Sequence, residues 1–337
     1  MSSKRIEWID IAKGAGMILV ILGHCLPYGR IFCNLIFAFH MPLFFILSGM
    51  VYKDIPLKEI FIKRFRSLII PYILFCILGT LISFIMGDFS LIGLISDLYY
   101  GNPVHIYVSS VWFLIAMFGV ILLFSIIRKI KNSFVQYGIV IFIMGLGIVY
   151  GFYNTHGIIG LRLPLDLDVV PMATAFFAFG FYLKKHLADY TEKFKSTKLL
   201  IGILILGGII VVFTGVVILN HSVNLHAITY RNPAFYLIES LLGSLALILL
   251  SCKISGISIS KPLVWIGKNT IYLLGAQAIG IRLSVAAINR VFNKEFELYG
   301  LSYPYVSIAF VTTTAFAVLF TIIIKSVWGF VNKKEAK

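Results

Sequence analysis

Apolar residues run along this chain in blocks long enough to cross a bilayer, divided by short polar connections. About 20 predominantly apolar residues in a helix span ~30 Å of hydrocarbon. Ten blocks qualify, with cores near 9–28, 33–52, 67–86, 110–127, 136–153, 169–183, 199–219, 234–252, 264–281 and 305–328. The pattern predicts an all-α integral membrane protein, a bundle of about ten transmembrane helices in one domain over residues 1–337. The fifth and sixth blocks are short, which leaves nine or eleven crossings open. No internal repeat and no low-complexity linker interrupts the series. The opening MSSKRIEWID leads into the first block without a small-residue cleavage site, so that block reads as a retained span rather than a removed signal peptide.

Charge adds the orientation. The net charge of +15 would suggest nucleic acid in a soluble protein, but 60% of residues are apolar and 13% charged, where a soluble surface needs about a quarter charged. Of the 29 Lys and Arg, 23 fall toward one side, in or next to the two ends of the chain and alternate connections. That is the positive-inside pattern, and it predicts that both termini are cytoplasmic. Nucleic-acid binding is set aside. The four cysteines show neither metal spacing nor a CxxC pair, and no metal is expected. Cys76 and Cys252 read as small hydrophobes, while Cys25 and Cys33 are close enough along the chain for a disulfide to stay open.

The connections on the other side are polar and aromatic. One carries Asp88, Asp97, Tyr99, Tyr100, Asn102, His105 and Tyr107; the next has His156, Arg162, Asp166 and Asp168; a third has His221, Asn224, His226 and Arg231. They suit a hydroxyl-rich ligand, although an interfacial aromatic belt with solvated loops explains most of them as well.

Ionisable groups inside spans are costly, so each is a functional candidate. The first span holds Asp10, Lys13 and His24. Eleven residues make about three helical turns, which places Lys13 and His24 on one face, roughly 16 Å apart. Met17 shares that face, and Gly14, Gly16 and Gly23 allow close helix packing. Lys13 reads equally as a snorkelling basic residue. His24 lies deep enough for a neutral imidazole to accept a proton, the alternative being a buried histidine bonded to a neighbour. In the second span His40 precedes Pro42, whose missing N–H frees a carbonyl that a neighbour must satisfy. A structural role beside that kink is the expectation for His40, with helix packing for Ser48 and Gly49. Arg64 and Arg66 open the third span, where paired guanidinium forks suit phosphates. Glu239 is the acid well inside a later span, placed to orient a histidine or bind a hydroxyl. GKNT at 267–270 has Pro262 where a phosphate loop needs its first glycine, so that reading is rejected.

Taken in order, these pieces resemble the acyltransferase-3 family of membrane acyltransferases, closest to its fucose 4-O-acetylase-like branch. Lys13 with His24, the block FHMPLFFILSG at 39–49, Arg64-Phe65-Arg66, the run VWFLIAMF at 111–118 and IGKNTIYLLG at 266–275 each resemble a family motif. Where members often carry a histidine after the late block, this chain has Gln277. The resemblance implies a bacterial inner-membrane enzyme that moves an acyl group, usually acetyl, from cytoplasmic acetyl-CoA to a hydroxyl of a cell-surface or lipid-linked glycan. In that picture Lys13, Arg64 and Arg66 hold the anionic CoA. His24 is the catalytic base or, alternatively, carries the acyl group, with Lys13 and Glu239 assisting. His40, Trp112 and His105 are the candidates for contact with substrate. Acyl-CoA, the saccharide acceptor and membrane lipid are the expected partners, with a homo-oligomer left open. Two rivals stand beside it: a transporter or flippase for a glycan or lipid-linked sugar, and a structural partner in a polysaccharide-synthesis complex. Against the first, there are no paired broken segments in matching halves. The second gives no reason for Lys13 and His24 to share a face.

Overall fold

The structure, a computed structural model, describes residues 6–158, 160, 162–297 and 300–335. Of the basic residues counted above, Lys4, Arg5 and Lys337 lie outside the described residues, as do the side chains of Lys185, Lys333 and Lys334. The described residues form helices and no strand: α1 (Glu7–Cys25), α2 (Ile31–Met50), α3 (Leu57–Arg64), a π-helical turn (Phe65–Ile69), α4 (Ile70–Met86), α5 (Leu91–Tyr100), α6 (Trp112–Ile127) and α7 (Ser133–Thr155). There follow α8 (Val170–Ser196), α9 (Leu199–Asn220), α10 (Pro233–Lys253), α11 (Lys261–Lys268), α12 (Thr270–Phe292) and α13 (Tyr303–Glu335). Among the described residues ten helices are long and apolar enough to cross a membrane, with α3 to α4 continuous as one. The fifth and sixth blocks, short in apolar length, sit in full helices of 23 and 27 residues.

One boundary differs from the expectation. The ninth block divides at Asn269, whose φ of −121° leaves the helical region. Its side chain donates to the Trp265 carbonyl at 2.7 Å and accepts from Lys325 Nζ at 2.9 Å. The crossing helix is therefore α12, and 261–268 is the separate short helix α11 lying on α1. Local signals start and stop the other helices. Asn132 and Asn232 cap α7 and α10 through two backbone N–H groups each, interactions worth about 1 kcal/mol apiece. Gly87 and Gly101, both at positive φ, end α4 and α5.

Burial separates an inner set of helices from an outer one. The most apolar window of α2 is 72% buried, against 17% for α7 and α9. Two crossings in the inner set depend on glycine. A Cβ on Gly14 would strike the Leu263 carbonyl, and one on Gly267 the Asp10 carbonyl, so α1 and α11 meet backbone to backbone. Gly49 and Gly180 do the same for α2 and α8, against the carbonyls of Phe177 and Ile46. The carbonyl freed by Pro42, that of Ala38, accepts a hydrogen bond from Ser240 Oγ of α10 at 2.7 Å. All four cysteines are buried free thiols, so the Cys25–Cys33 disulfide left open above is not formed.

Candidate active site

The C-terminal turn of α1 and the first half of α2 converge at the end of the bundle opposite the basic connections, around a cavity of about 330 Å³. His24, Tyr28, His40, Trp112, Asn224 and His226 line it. Phe37 stands between the first two histidines, 5.9 Å from the His24 ring and 5.0 Å from that of His40. His40 is 4% exposed. Its Nδ1–H donates to the Ile36 carbonyl at 2.8 Å, which leaves Nε2 of the neutral ring as the acceptor. His40 thus lies beside the kink, bonded to its own helix, and also faces the cavity, while Ser240 satisfies the freed carbonyl.

Trp112, at the start of α6, is almost fully buried and stacks on His226 with ring centroids 4.4 Å apart and planes 19° from parallel. Behind this pair lies a charge cluster. Arg162 reaches the His226 carbonyl at 2.6 Å, Asp166 at 3.0 Å and Asp168 at 2.8 Å. Tyr28 and Asn224 hydrogen bond across the rim; burial raises the Tyr28 phenol above its usual range, partly offset by that bond, so it stays a donor near neutrality. Asn102 contributes a buried carbonyl oxygen with no protein partner, the kind of atom a ligand hydroxyl satisfies.

Two further pockets share wall residues with this cavity. A side pocket of about 340 Å³ shares Asn102 and Val104 with it and is lined by His105 and Arg162. His105, half exposed, bonds Asp97 at 2.7 Å, so it lies beside the main cavity rather than in it. Toward the basic end, Val20, Met41 and Leu274 are shared with a constriction of about 30 Å³ lined by Met17, Phe44, Phe113 and Thr270. Lys13 lies about one turn beyond Met17 on α1.

The other predicted residues lie apart from the cavity wall. Arg64 and Arg66 straddle the junction of α3 with the π turn, a distortion that often marks functional segments. Arg66 is exposed and Arg64 partly buried. Glu239 is fully buried in α10; its Oε1 accepts from Asn220 at 3.1 Å, and Asn220 also holds the Tyr230 carbonyl and the Asn232 N–H. Glu239 thus acts on the loop that carries Asn224 and His226 rather than on the cavity. Sequence reasoning named His226, Asp166 and Asp168 only as members of loops suited to a polar ligand, because polar residues between spans are the ordinary composition of a solvated loop. The signal available was that these loops hold Asp and His with few Lys.

No curated protein and no solved structure matches the chain. The sequence does match one domain family, over residues 6–324, which takes in every helix that lines the cavity. That match covers nearly the whole chain, and the chain belongs to the acyltransferase domain family.

Proposed function

We propose that this membrane acyltransferase moves an acyl group, acetyl in the first instance, from cytoplasmic acyl-CoA to a hydroxyl of a cell-surface or lipid-linked glycan. The observation that carries the reading is the placing of two imidazoles in one cavity: His24 and His40 line it with Trp112, Asn224 and Asn102, and a smaller pocket about one turn from Lys13 shares three of its wall residues. The basic end is the cytoplasmic one by the charge bias. In a bacterium this places the cavity toward the outer face of the inner membrane. CoA docks at that basic end, with Lys13, Arg64 and Arg66 toward its phosphates, and its thioester reaches the cavity through the constriction. The acceptor enters from the other side. His24 takes the hydroxyl proton as oxygen attacks the thioester carbonyl, and CoA leaves with that proton. Membership of an acyltransferase family favours this over the transporter reading.

The test uses detergent-solubilised, monodisperse protein with acetyl-CoA and a panel of glycosides, reading released thiol and acetylated sugar. His24→Ala is expected to lower turnover by about 10²–10⁴-fold with CoA binding retained. Near-normal transfer in a folded His24→Ala protein would transfer the role of base to His40, whose Nε2 is already an acceptor. Replacing Arg64 and Arg66 together by Gln is expected to weaken CoA binding, with Lys restoring part of it because it lacks the planar fork. Unchanged affinity in the double variant would leave the two arginines as topological charges.

A further inference from the structure

The histidine on which the reading above places no role is the one most completely supported. His226 Nε2 lies 3.3 Å from Asp166 Oδ1, an ion-pair approach rather than an aligned hydrogen bond. Its backbone carbonyl is gripped by Arg162, its ring is stacked on Trp112, and it forms part of the cavity wall. Asp166 is held in place by unusual backbone: Leu165 and Asp166 both take left-handed φ, of 55° and 52°. Such conformations cost energy and persist where the surroundings demand them.

The charge inventory then says what His226 is. Asp166 is 0% exposed and Asp168 3%, and Arg162 bridges the two. Arg162 pairs with two buried carboxylates, Asp166 and Asp168, and a buried charge needs such partners. The groups facing His226 are Asp166 and Arg162 from the loop before α8, the uncharged Trp112 from α6, and His24 of α1, near enough to interact electrostatically. The Asp166 carboxylate, 3.3 Å from Nε2, is the group that would favour a charged ring there.

We propose that His226 is a catalytic residue, an imidazolium held by Asp166 that stabilises the oxyanion formed when the acceptor hydroxyl attacks the thioester. The inference rests on the acyl-transfer reading. In the step, the hydroxyl oxygen bonds to the carbonyl carbon, its proton passes to His24, and the carbonyl π pair moves onto oxygen. That oxyanion accepts a hydrogen bond from the His226 ring. As the C–O⁻ pair reforms the double bond, the C–S bond breaks and the thiolate takes the proton from His24. His226 keeps its own proton throughout. Fixed donors aimed at developing charge in a site of low dielectric are among the largest contributions to catalysis.

Three variants of the full-length protein test this with acetyl-CoA and the glycoside panel. His226→Phe retains a ring on Trp112 and removes the donor; kcat is expected to fall by about 10²–10³-fold with KM for acetyl-CoA within about two-fold. His226→Gln, which keeps a neutral N–H, is expected to recover part of the loss. Asp166→Asn removes the carboxylate that favours the imidazolium, so the alkaline fall in kcat is expected to move to lower pH by about one unit or more. Transfer within two-fold of the wild type in His226→Phe overturns the proposal. So does an Asp166→Asn profile in which the acid limb moves instead, since His226 would then be acting as a base. Failure of the wild-type protein to transfer acetyl at all would overturn the underlying reading as well, and is distinguished from the other outcomes by the wild-type measurement alone.

Discussion

Single residues in this protein act through backbone they hold as much as through substrate they touch. Glu239 is the clearest case. Through Asn220 it organises the stretch from Tyr230 to Asn232 and, with it, the loop bearing Asn224 and His226. Glu239→Gln keeps an oxygen that can accept from Asn220, so activity is expected to drop less than about ten-fold, below the loss expected on removing a general acid or base. Glu239→Ala leaves buried donors unmet, and thermal unfolding followed by fluorescence is expected to show a loss of about 1–3 kcal/mol. Full stability in Glu239→Ala would mean the loop does not depend on this contact. The position of His24 on the cavity wall was legible from sequence because an ionisable group inside an apolar block is conspicuous. His226 was not, because its loop returns over the cavity through long-range contacts, and nothing local to residues 220–233 announces an ion pair with Asp166.

At the level of elements, helix existence was readable and helix geometry was not. Apolar length alone gives the number of crossings. The break at Asn269 escapes it because the polar stretch Lys268 to Thr270 is short and lies between apolar runs, while the deciding contact comes from Lys325, 56 positions away. The close crossings were partly foreseeable: Gly14 and Gly49 read as packing positions, but their partners Gly267 and Gly180 emerge from the fold. Substitution separates these glycines from the rest. Gly49→Leu or Gly180→Leu is expected to abolish monodisperse protein in size-exclusion chromatography, since backbone carbonyls occupy the space. Gly207→Ala and Gly215→Ala in α9, where a Cβ meets nothing within 4 Å, are expected to leave elution unchanged and stability within about 0.5 kcal/mol of the parent. Equal behaviour of the two sets would show that α2 and α8 tolerate a wider separation.

If each of the ten helices among the described residues that are long and apolar enough crosses the membrane, the end of α13 returns to the side where α1 begins, and the expectation from the charge bias is that this side is cytoplasmic. A fluorescent reporter that folds only in the cytoplasm, fused after residue 337, is expected to be bright, and an enzyme reporter active only outside is expected to be silent. The reverse result would invert the proposed routes of donor and acceptor. The constriction below the histidines has a consequence of its own. A volume of about 30 Å³ among Met17, Met41, Phe44 and Phe113 holds about one water molecule and offers it few polar partners. A protein that brings a cytoplasmic thioester to an external hydroxyl is, in outline, a pore, and a wet file through it would short-circuit the proton gradient of the membrane it sits in. Methionine thioethers can flex around a slender pantetheine arm and close again when it withdraws. Met17→Ala with Met41→Ala in sealed vesicles is therefore expected to dissipate an imposed pH gradient that the parent protein holds.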